Sequence, residues 1–275
     1  MNLKPMLAKD YNKCQNSVLQ KSMYCSRKLD GVRCMIKMND DGELITVSRG
    51  GKDYNVAATE ILKELEPLFK AFPEVVLDGE IYIHGKHLQE ISGVARLKTW
   101  EDRCSKLEYW IYDLAMGGLK FTERLDLLNK MHNYIDGQKI RIIEHKETNS
   151  WAQVSKLHDK WVAEGYEGLV ARKPDKLYEF GKRNSTMIKV KLYQDAEFKI
   201  IDYKEGLRDE DFCFICETAD GKPFSAKPVG TRELREYYLD NIDEFIDKMA
   251  TIKFFEMSKD NIPLQPIFKS IREDE

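Results

Sequence analysis

Near residue 193 the chain changes rhythm, and that change constrains the fold more than anything else in its sequence. Up to about residue 192, runs rich in β-branched and aromatic residues are mixed irregularly with stretches whose apolar residues recur at helical spacing. Cys34–Met38, Leu44–Ser48, Val75–Ile83, Leu107–Leu114, Ile140–His145 and Gly168–Arg172 read as strands. Ala57–Phe69, Thr122–Tyr134 and Trp151–Ala163 read as helices, with Thr122 and Ser150 placed to act as N-caps. Strands often follow one another directly, so the pattern predicts an α+β unit with antiparallel sheets rather than a doubly wound parallel sheet.

Beyond Tyr193 the strand-like runs are Phe198–Tyr203, Phe212–Thr218, Pro223–Lys227, Thr251–Met257 and Gln265–Ile271. The helix candidate of this part starts near Thr231, between the third and fourth runs, and Asp220-Gly221 marks a tight hairpin between the second and third. Five strands with a helix after the third is the order of an OB-fold, a small β-barrel much used on nucleic acids. The expected division is an α+β domain at 1–192 and an OB-fold domain at 193–275. No internal repeat or low-complexity segment interrupts it.

Charged residues at 33% and apolar ones at 42% fit a soluble globular chain. No apolar run approaches the roughly 18 residues of a membrane span, and Met1–Asp10 has no signal-peptide core. A cytoplasmic protein without membrane association is expected, in the host cytoplasm if the source is a phage or virus. Of the six cysteines only Cys213-Phe214-Ile215-Cys216 has metal-like spacing. No second pair accompanies it, so it reads as small side chains in a strand, and free thiols are expected. The net charge of −3 is unevenly divided: residues 193–275 hold 12 Lys and Arg against 20 Asp and Glu. From totals of 44 and 47, that leaves 32 against 27 before them. A nucleic-acid partner would therefore require the cations of the first part to gather on one face.

Five short strings follow one another in order. They are Lys28-Leu29-Asp30-Gly31-Val32-Arg33, Leu77-Asp78-Gly79-Glu80, Trp110-Ile111-Tyr112-Asp113, Glu167-Gly168-Leu169-Val170 and Ile188-Lys189-Val190-Lys191. Each alone could be a strand with polar ends; the succession, with an OB-like tail behind it, points to chemistry. It resembles the covalent nucleotidyltransferase superfamily of DNA ligases, RNA ligases and mRNA capping enzymes. Within it, the match is to minimal, virus-type ATP-dependent DNA ligases. The lead-in Lys4-Pro5-Met6-Leu7-Ala8 is similar to theirs. So is the tail, where Ile252-Lys253-Phe254-Phe255-Glu256-Met257 precedes Pro266-Ile267-Phe268-Lys269-Ser270-Ile271-Arg272-Glu273-Asp274.

The resemblance implies an enzyme that seals 5′-phosphate/3′-hydroxyl nicks in duplex DNA through lysyl-AMP and an adenylated DNA end, in replication, repair or recombination. A covalent intermediate splits one hard step into easier ones. A lysine can form it only as the neutral amine, which burial and nearby cations favour. The implied roles are Lys28 as nucleophile, Asp30 as helper of the final attack by the 3′-hydroxyl, and Glu80 and Arg33 as holders of the ribose. Tyr112 would stack on adenine through its ring, with Val170 on the opposite face. Lys189 and Lys191 would contact the α-phosphate. Glu167 would place the metal and the nucleotide, with Glu80 as a second metal ligand. Mg²⁺, with Mn²⁺ as a substitute, would add positive charge at the phosphates. Arg49 resembles the arginine that grips the nick phosphate, Arg183 a further arginine for nucleotide or DNA phosphate, and Arg272 a cation orienting the leaving pyrophosphate. A monomer acting on nicked duplex DNA is expected.

Some features depart from the larger family members. Only 27 residues precede Lys28, too few for a helical DNA-binding domain. The turn near Glu205 to Asp211 is short and acidic, which argues against a long DNA-clasping insertion. The nicotinamide-recognition domain and four-cysteine zinc site of NAD-dependent ligases are missing, which favours ATP. An RNA ligase, a GTP-using capping guanylyltransferase and a catalytically dead OB-fold binding module remain as alternatives.

Overall fold

A computed structural model describes residues 4–272 apart from 15, 136, 192, 207–210, 256 and 259. It falls into two compact units, residues 1–191 and 192–275. Along the first unit run strands β1 (Leu7–Asp10), β2 (Met23–Lys28), β3 (Val32–Met38) and β4 (Leu44–Ser48), then helix α1 (Thr59–Ala71), β5 (Val76–Tyr82) and α2 (Leu88–Ala95). After these come β6 (Glu108–Leu114), α3 (Phe121–Met131), β7 (Ile140–Ile142), β8 (Lys146–Thr148), α4 (Trp151–Ala163), β9 (Gly168–Arg172) and β10 (Arg183–Val190).

The strands form two five-stranded sheets. The first has the order β1-β10-β9-β2-β8 and the second β4-β3-β5-β6-β7. Only the edge pairs β1–β10 and β6–β7 are parallel; the others are antiparallel, as the irregular element order predicts. Side chains alternate along each strand, so each sheet has two faces. Outward residues of the second sheet, such as Cys34, Ile36, Leu77, Ile81 and Ile111, join the apolar face of α1 in one core. Outward residues of the first sheet, Cys25, Leu169, Ala171, Ile188 and Val190, pack with Val154 and Trp161 of α4. A smaller cluster containing Met35, Tyr178 and Met187 lies between the sheets.

Charge also joins the inner faces. Asp113 of β6 accepts from Arg124 Nε at 2.6 Å and Nη2 at 3.0 Å. The guanidinium of Arg172, from the other sheet, lies 3.7 Å from Asp113 and donates to Ser26 Oγ at 3.2 Å. Arg33 grips Asp78 in the same two-pronged way, at 3.0 and 2.6 Å, and Tyr178 donates its hydroxyl proton to Asp78 at 2.6 Å. Paired forks of this kind fix direction as well as distance.

Several expected boundaries shift. Strands β4 and β9 and helix α4 have the expected limits, and Ser150 caps α4 by accepting from Gln153 N at 3.4 Å. Thr122 is not a cap: α3 starts at Phe121, and Glu123 accepts from Lys120 N at 2.6 Å. The Thr122 hydroxyl instead donates to the Pro174 carbonyl at 3.3 Å. The run Ile140–His145 ends as a strand at Ile142, because the chain then crosses to the first sheet, where β8 pairs with β2. Strands β1, β2, β8 and β10 and helix α2 escape the sequence reading.

The second unit holds β11 (Gln194–Glu205), β12 (Phe212–Glu217), β13 (Pro223–Pro228), α5 (Arg232–Asp240), β14 (Met249–Phe254) and β15 (Ile267–Ile271). Pairing runs β11-β12-β13-β15-β14 and back to β11, with β13–β15 parallel. Gly221 takes φ +75° in the β12–β13 turn, and Thr231 caps α5, accepting from Leu234 N at 3.3 Å. Cys213 and Cys216 fall on opposite faces of β12, where they cannot chelate one ion together. The expected turn at Glu205 to Asp211 and the tail residues Glu273 and Asp274 fall wholly or largely outside the described residues.

Asp113→Asn should cost about 3–5 kcal/mol of stability, because Arg124 and Arg172 lose the compensating charge in a buried site. Chemical denaturation would check this, and a loss below about 1 kcal/mol, the range of an exposed pair, would mean the network is dispensable.

Candidate active site

The two inner faces meet at a cleft of about 270 Å³, near the lower end of the range for small-ligand sites. Cross-strand register explains which side chains line it. In the first sheet Ser26, Val170 and Lys189 stand opposite one another on three adjacent strands. In the second, Arg33 and Glu80 are paired across β3 and β5. Lys28 lies two residues along from Ser26, and Lys191 two along from Lys189, so both share the cleft face. Tyr112 closes one wall from β6.

Two motif glycines are required by close approach. A Cβ on Gly31 would lie 2.5 Å from the Ile81 carbonyl oxygen, in the turn that carries Lys28 past β5. Gly168 has φ +140°, and a Cβ there would lie 2.5 Å from the Val190 carbonyl oxygen. Larger residues would push apart the strands that hold the lysines.

Lys28, half-buried at the cleft, meets the buried side chains of Glu167 and Lys191. The Glu167 carboxylate touches both ammonium groups, although Glu167 itself is not among the cleft-lining residues. Burial pushes the Lys28 ammonium below its usual range, while the carboxylates of Glu80 and Asp30 pull it back up and Arg33 opposes them. Burial also raises the Glu80 carboxyl to about 7, against the lowering effects of Lys28, Arg33 and the Tyr112 hydrogen bond. Two groups with opposite charges are thus brought toward neutrality in one cleft, a pattern found at catalytic sites.

Tyr112 has partners on its ring and on its hydroxyl. Its ring packs against the guanidinium groups of Arg172 and Arg33, at 5.2 and 5.6 Å from the ring centre. Its hydroxyl donates to Glu80 Oε2 at 3.2 Å, a contact that the ring-only reading did not include. Arg33 faces Asp78 more than open space, and its remaining Nη1 donates to the Met6 carbonyl at 2.7 Å.

Arg49 and Arg183 reach the cleft rim from exposed positions, and Arg183 donates to the Ala8 carbonyl. Asp30 lies outside the cleft-lining residues; its carboxylate accepts from Leu88 N at 3.3 Å, where α2 begins. Arg272 lies in the second unit, where its backbone N–H donates to the Met249 carbonyl at 2.8 Å. The reading missed Ser26, Met187 and Arg172, all of which line the cleft. Each stands two residues from a motif residue that was found, so strand alternation was the available signal.

Residues 5–191 match the family described as ATP dependent DNA ligase domain. The chain is 29% identical over 292 residues to a DNA ligase of African swine fever virus, spanning 98% of this chain and 68% of that one. Its fold is similar to that of a solved Lig E DNA ligase, with a TM-score of 0.76, 21% identity and coverage of 99% and 100% of the two chains. It is similar also to the ATP-dependent DNA ligase of bacteriophage T7 solved with ATP, with a TM-score of 0.57, 18% identity and coverage of 99% and 100%. The family match spans well over half of the 275 residues and includes every lining residue of the cleft: the chain belongs to the ATP-dependent DNA ligase family.

Proposed function

We propose that the cleft carries AMP on Lys28 and delivers it to the 5′-phosphate of a nick in duplex DNA. The observation that carries this reading is a lysine with a depressed ammonium pKa, set among Lys189, Lys191 and Arg33 in a cleft with an aromatic wall. The neutral Lys28 amine attacks the α-phosphorus of ATP, a P–N bond forms, and the bond to the bridging oxygen breaks to release pyrophosphate. Glu167, which touches the amine, is positioned to take its proton. The DNA 5′-phosphate then attacks the same phosphorus and frees Lys28. In the last step the 3′-hydroxyl, assisted by Asp30, displaces AMP and closes the nick.

Lys189 and Lys191 balance the phosphate charge as it develops. Glu80 and Arg33 hold the ribose, while Tyr112 and Val170 flank the adenine. Arg183 and Arg49 take phosphates at the rim, Arg49 that of the nick. Glu80, the one carboxylate among the described residues of the cleft lining, fits a hard divalent cation, since Mg²⁺ commonly uses one or two carboxylates together with substrate phosphates. Glu80 would hold Mg²⁺, or Mn²⁺ in its place, with Glu167 joining it once released from Lys28 and Lys191, and the ion would supply positive charge to the triphosphate. Residues 1–192 are read as the adenylation domain and 193–275 as an OB-fold. The strand order with a parallel β13–β15 pair and α5 between β13 and β14 supports the latter. A monomer in the cytoplasm is proposed; among the described residues no helix is long and apolar enough to cross a membrane.

Incubation with α-labelled ATP, α-labelled GTP and adenylate-labelled NAD⁺ in turn should label the protein from ATP alone. Lys28→Ala should take no label while remaining folded, and label persisting on it would remove the centre of the reading.

Tyr112→Ala should weaken ATP use by about 1–3 kcal/mol, the range for one lost base–aromatic stack. Tyr112→Phe keeps the ring but removes a hydrogen bond that holds the Glu80 carboxyl down. Ionised Glu80 accepts from the ribose hydroxyls, so labelling should rise with pH through about 7, and in the Phe variant that rise should move to higher pH. A Phe variant with the parent pH profile would mean that the hydroxyl contact has no part in binding.

Arg272→Ala should cripple labelling by ATP while largely sparing closure of a nick supplied already adenylated, because pyrophosphate is absent from the later steps. Arg49→Ala should label normally and fail on nicked DNA. Equal loss of both activities in Arg272→Ala would refute this division.

A further inference from the structure

Where β1 meets β10, at the edge of the first sheet, a groove of about 610 Å³ is lined by Lys9, Lys13, Lys21 and Lys173, with Ser185 among them. An adjoining recess shares Lys9 and Lys13 with the groove, and shares Arg183 and Lys189 with the Lys28 cleft. Cations therefore run without a break from the cleft out to Lys21. Asp10 is the acidic residue of the recess, and it is occupied. One oxygen accepts from Asn12 N at 3.1 Å, and the other lies 3.5 Å from Lys189 Nζ.

Among the described residues the groove's own lining holds four lysines and no carboxylate, so their ammonium groups repel one another, and an anion with spaced charges would relieve that repulsion. In the reading above the cleft already offers Lys189, Lys191 and Arg183 to a nucleotide's phosphates. The groove begins where those cations end, so it suits a polyanion that enters the cleft and continues past it. We propose that this lysine groove holds backbone phosphates of the DNA strand leading to the nick, and so guides the 5′-phosphate to Lys28. The inference rests on the nick-sealing reading and names the surface that reading leaves unassigned. It also accounts for a protein with a net charge of −3 binding DNA through one local basic face.

The test uses the full chain and two double variants, Lys13→Ala/Lys21→Ala and Lys9→Ala/Lys173→Ala. The first pair is exposed, so its loss should not disturb folding. Labelling by ATP is measured first. Affinity of the adenylated protein for a nicked duplex lacking the 3′-hydroxyl is then measured across a salt series. Each double variant should label like the parent, bind more weakly, and lower the slope of log K against log[salt] by about 2, roughly one for each phosphate no longer neutralised. Lys13→Arg/Lys21→Arg should keep the parent slope. An unchanged slope in both alanine variants would overturn the proposal. Loss of labelling alongside binding would overturn it too, by assigning the groove to the triphosphate. A parent that labels but seals no nick would defeat the nick-sealing reading instead, and the two failures are distinguishable.

Discussion

The first unit is organised around aspartates buried opposite arginines between its two sheets. Asp113 is held by Arg124 and lies beside Arg172, and Asp78 is held by Arg33 and Tyr178. Such pairs add little stability over an apolar core of the same volume, but removing one partner is costly. What they supply is position. Arg172 comes from the first sheet and Asp113 from the second, so their approach sets how the inner faces meet. The same guanidinium packs on Tyr112, as does that of Arg33. The wall of the cleft is therefore braced by one guanidinium that joins the sheets, Arg172, and one held within the second sheet, Arg33.

The chemistry depends on that bracing. In the proposed reaction Lys28 gives up a proton to act as nucleophile, and Glu80 keeps its charge to accept from hydroxyl groups. Burial works in favour of the first requirement and against the second. The structure offsets the effect on Glu80 with Lys28, Arg33 and the Tyr112 hydroxyl, all of which favour the carboxylate. A change at Tyr112 therefore acts on the ring that packs against Arg33 and Arg172 and on the Glu80 carboxylate at once.

Much of this was legible from local pattern. Trp151–Ala163 was readable as a helix, with Ser150 as its cap, because apolar spacing and capping chemistry are properties of neighbouring residues. The strings around Lys28, Glu80, Tyr112 and Lys189 were readable through their order and family resemblance, and the structure collects those four residues in one cleft. Strands β1 and β2 were not, since Asp10, Arg27 and Lys28 interrupt the apolar alternation that marks a strand. Lys28 faces the cleft and Lys9 the basic groove, while Arg27 lays its guanidinium over Trp161 and pairs with Glu144 and Glu164. Thr122 had the right residue type for a cap, but the carbonyl of Pro174 took its hydroxyl.

By itself the sequence determined most helices and several strands, and the change of rhythm near residue 192, because these rest on periodicity within a few residues; the strings at the candidate site stood out only through their resemblance to a family. Tertiary structure alone decided the partners. Asp30 meets Leu88 N from 58 positions away and Lys28 meets Glu167 from 139. Arg172 finds Asp113 only because two separate sheets face each other. No local pattern specifies those distances: they follow from how the sheets pack, which the chain settles as a whole.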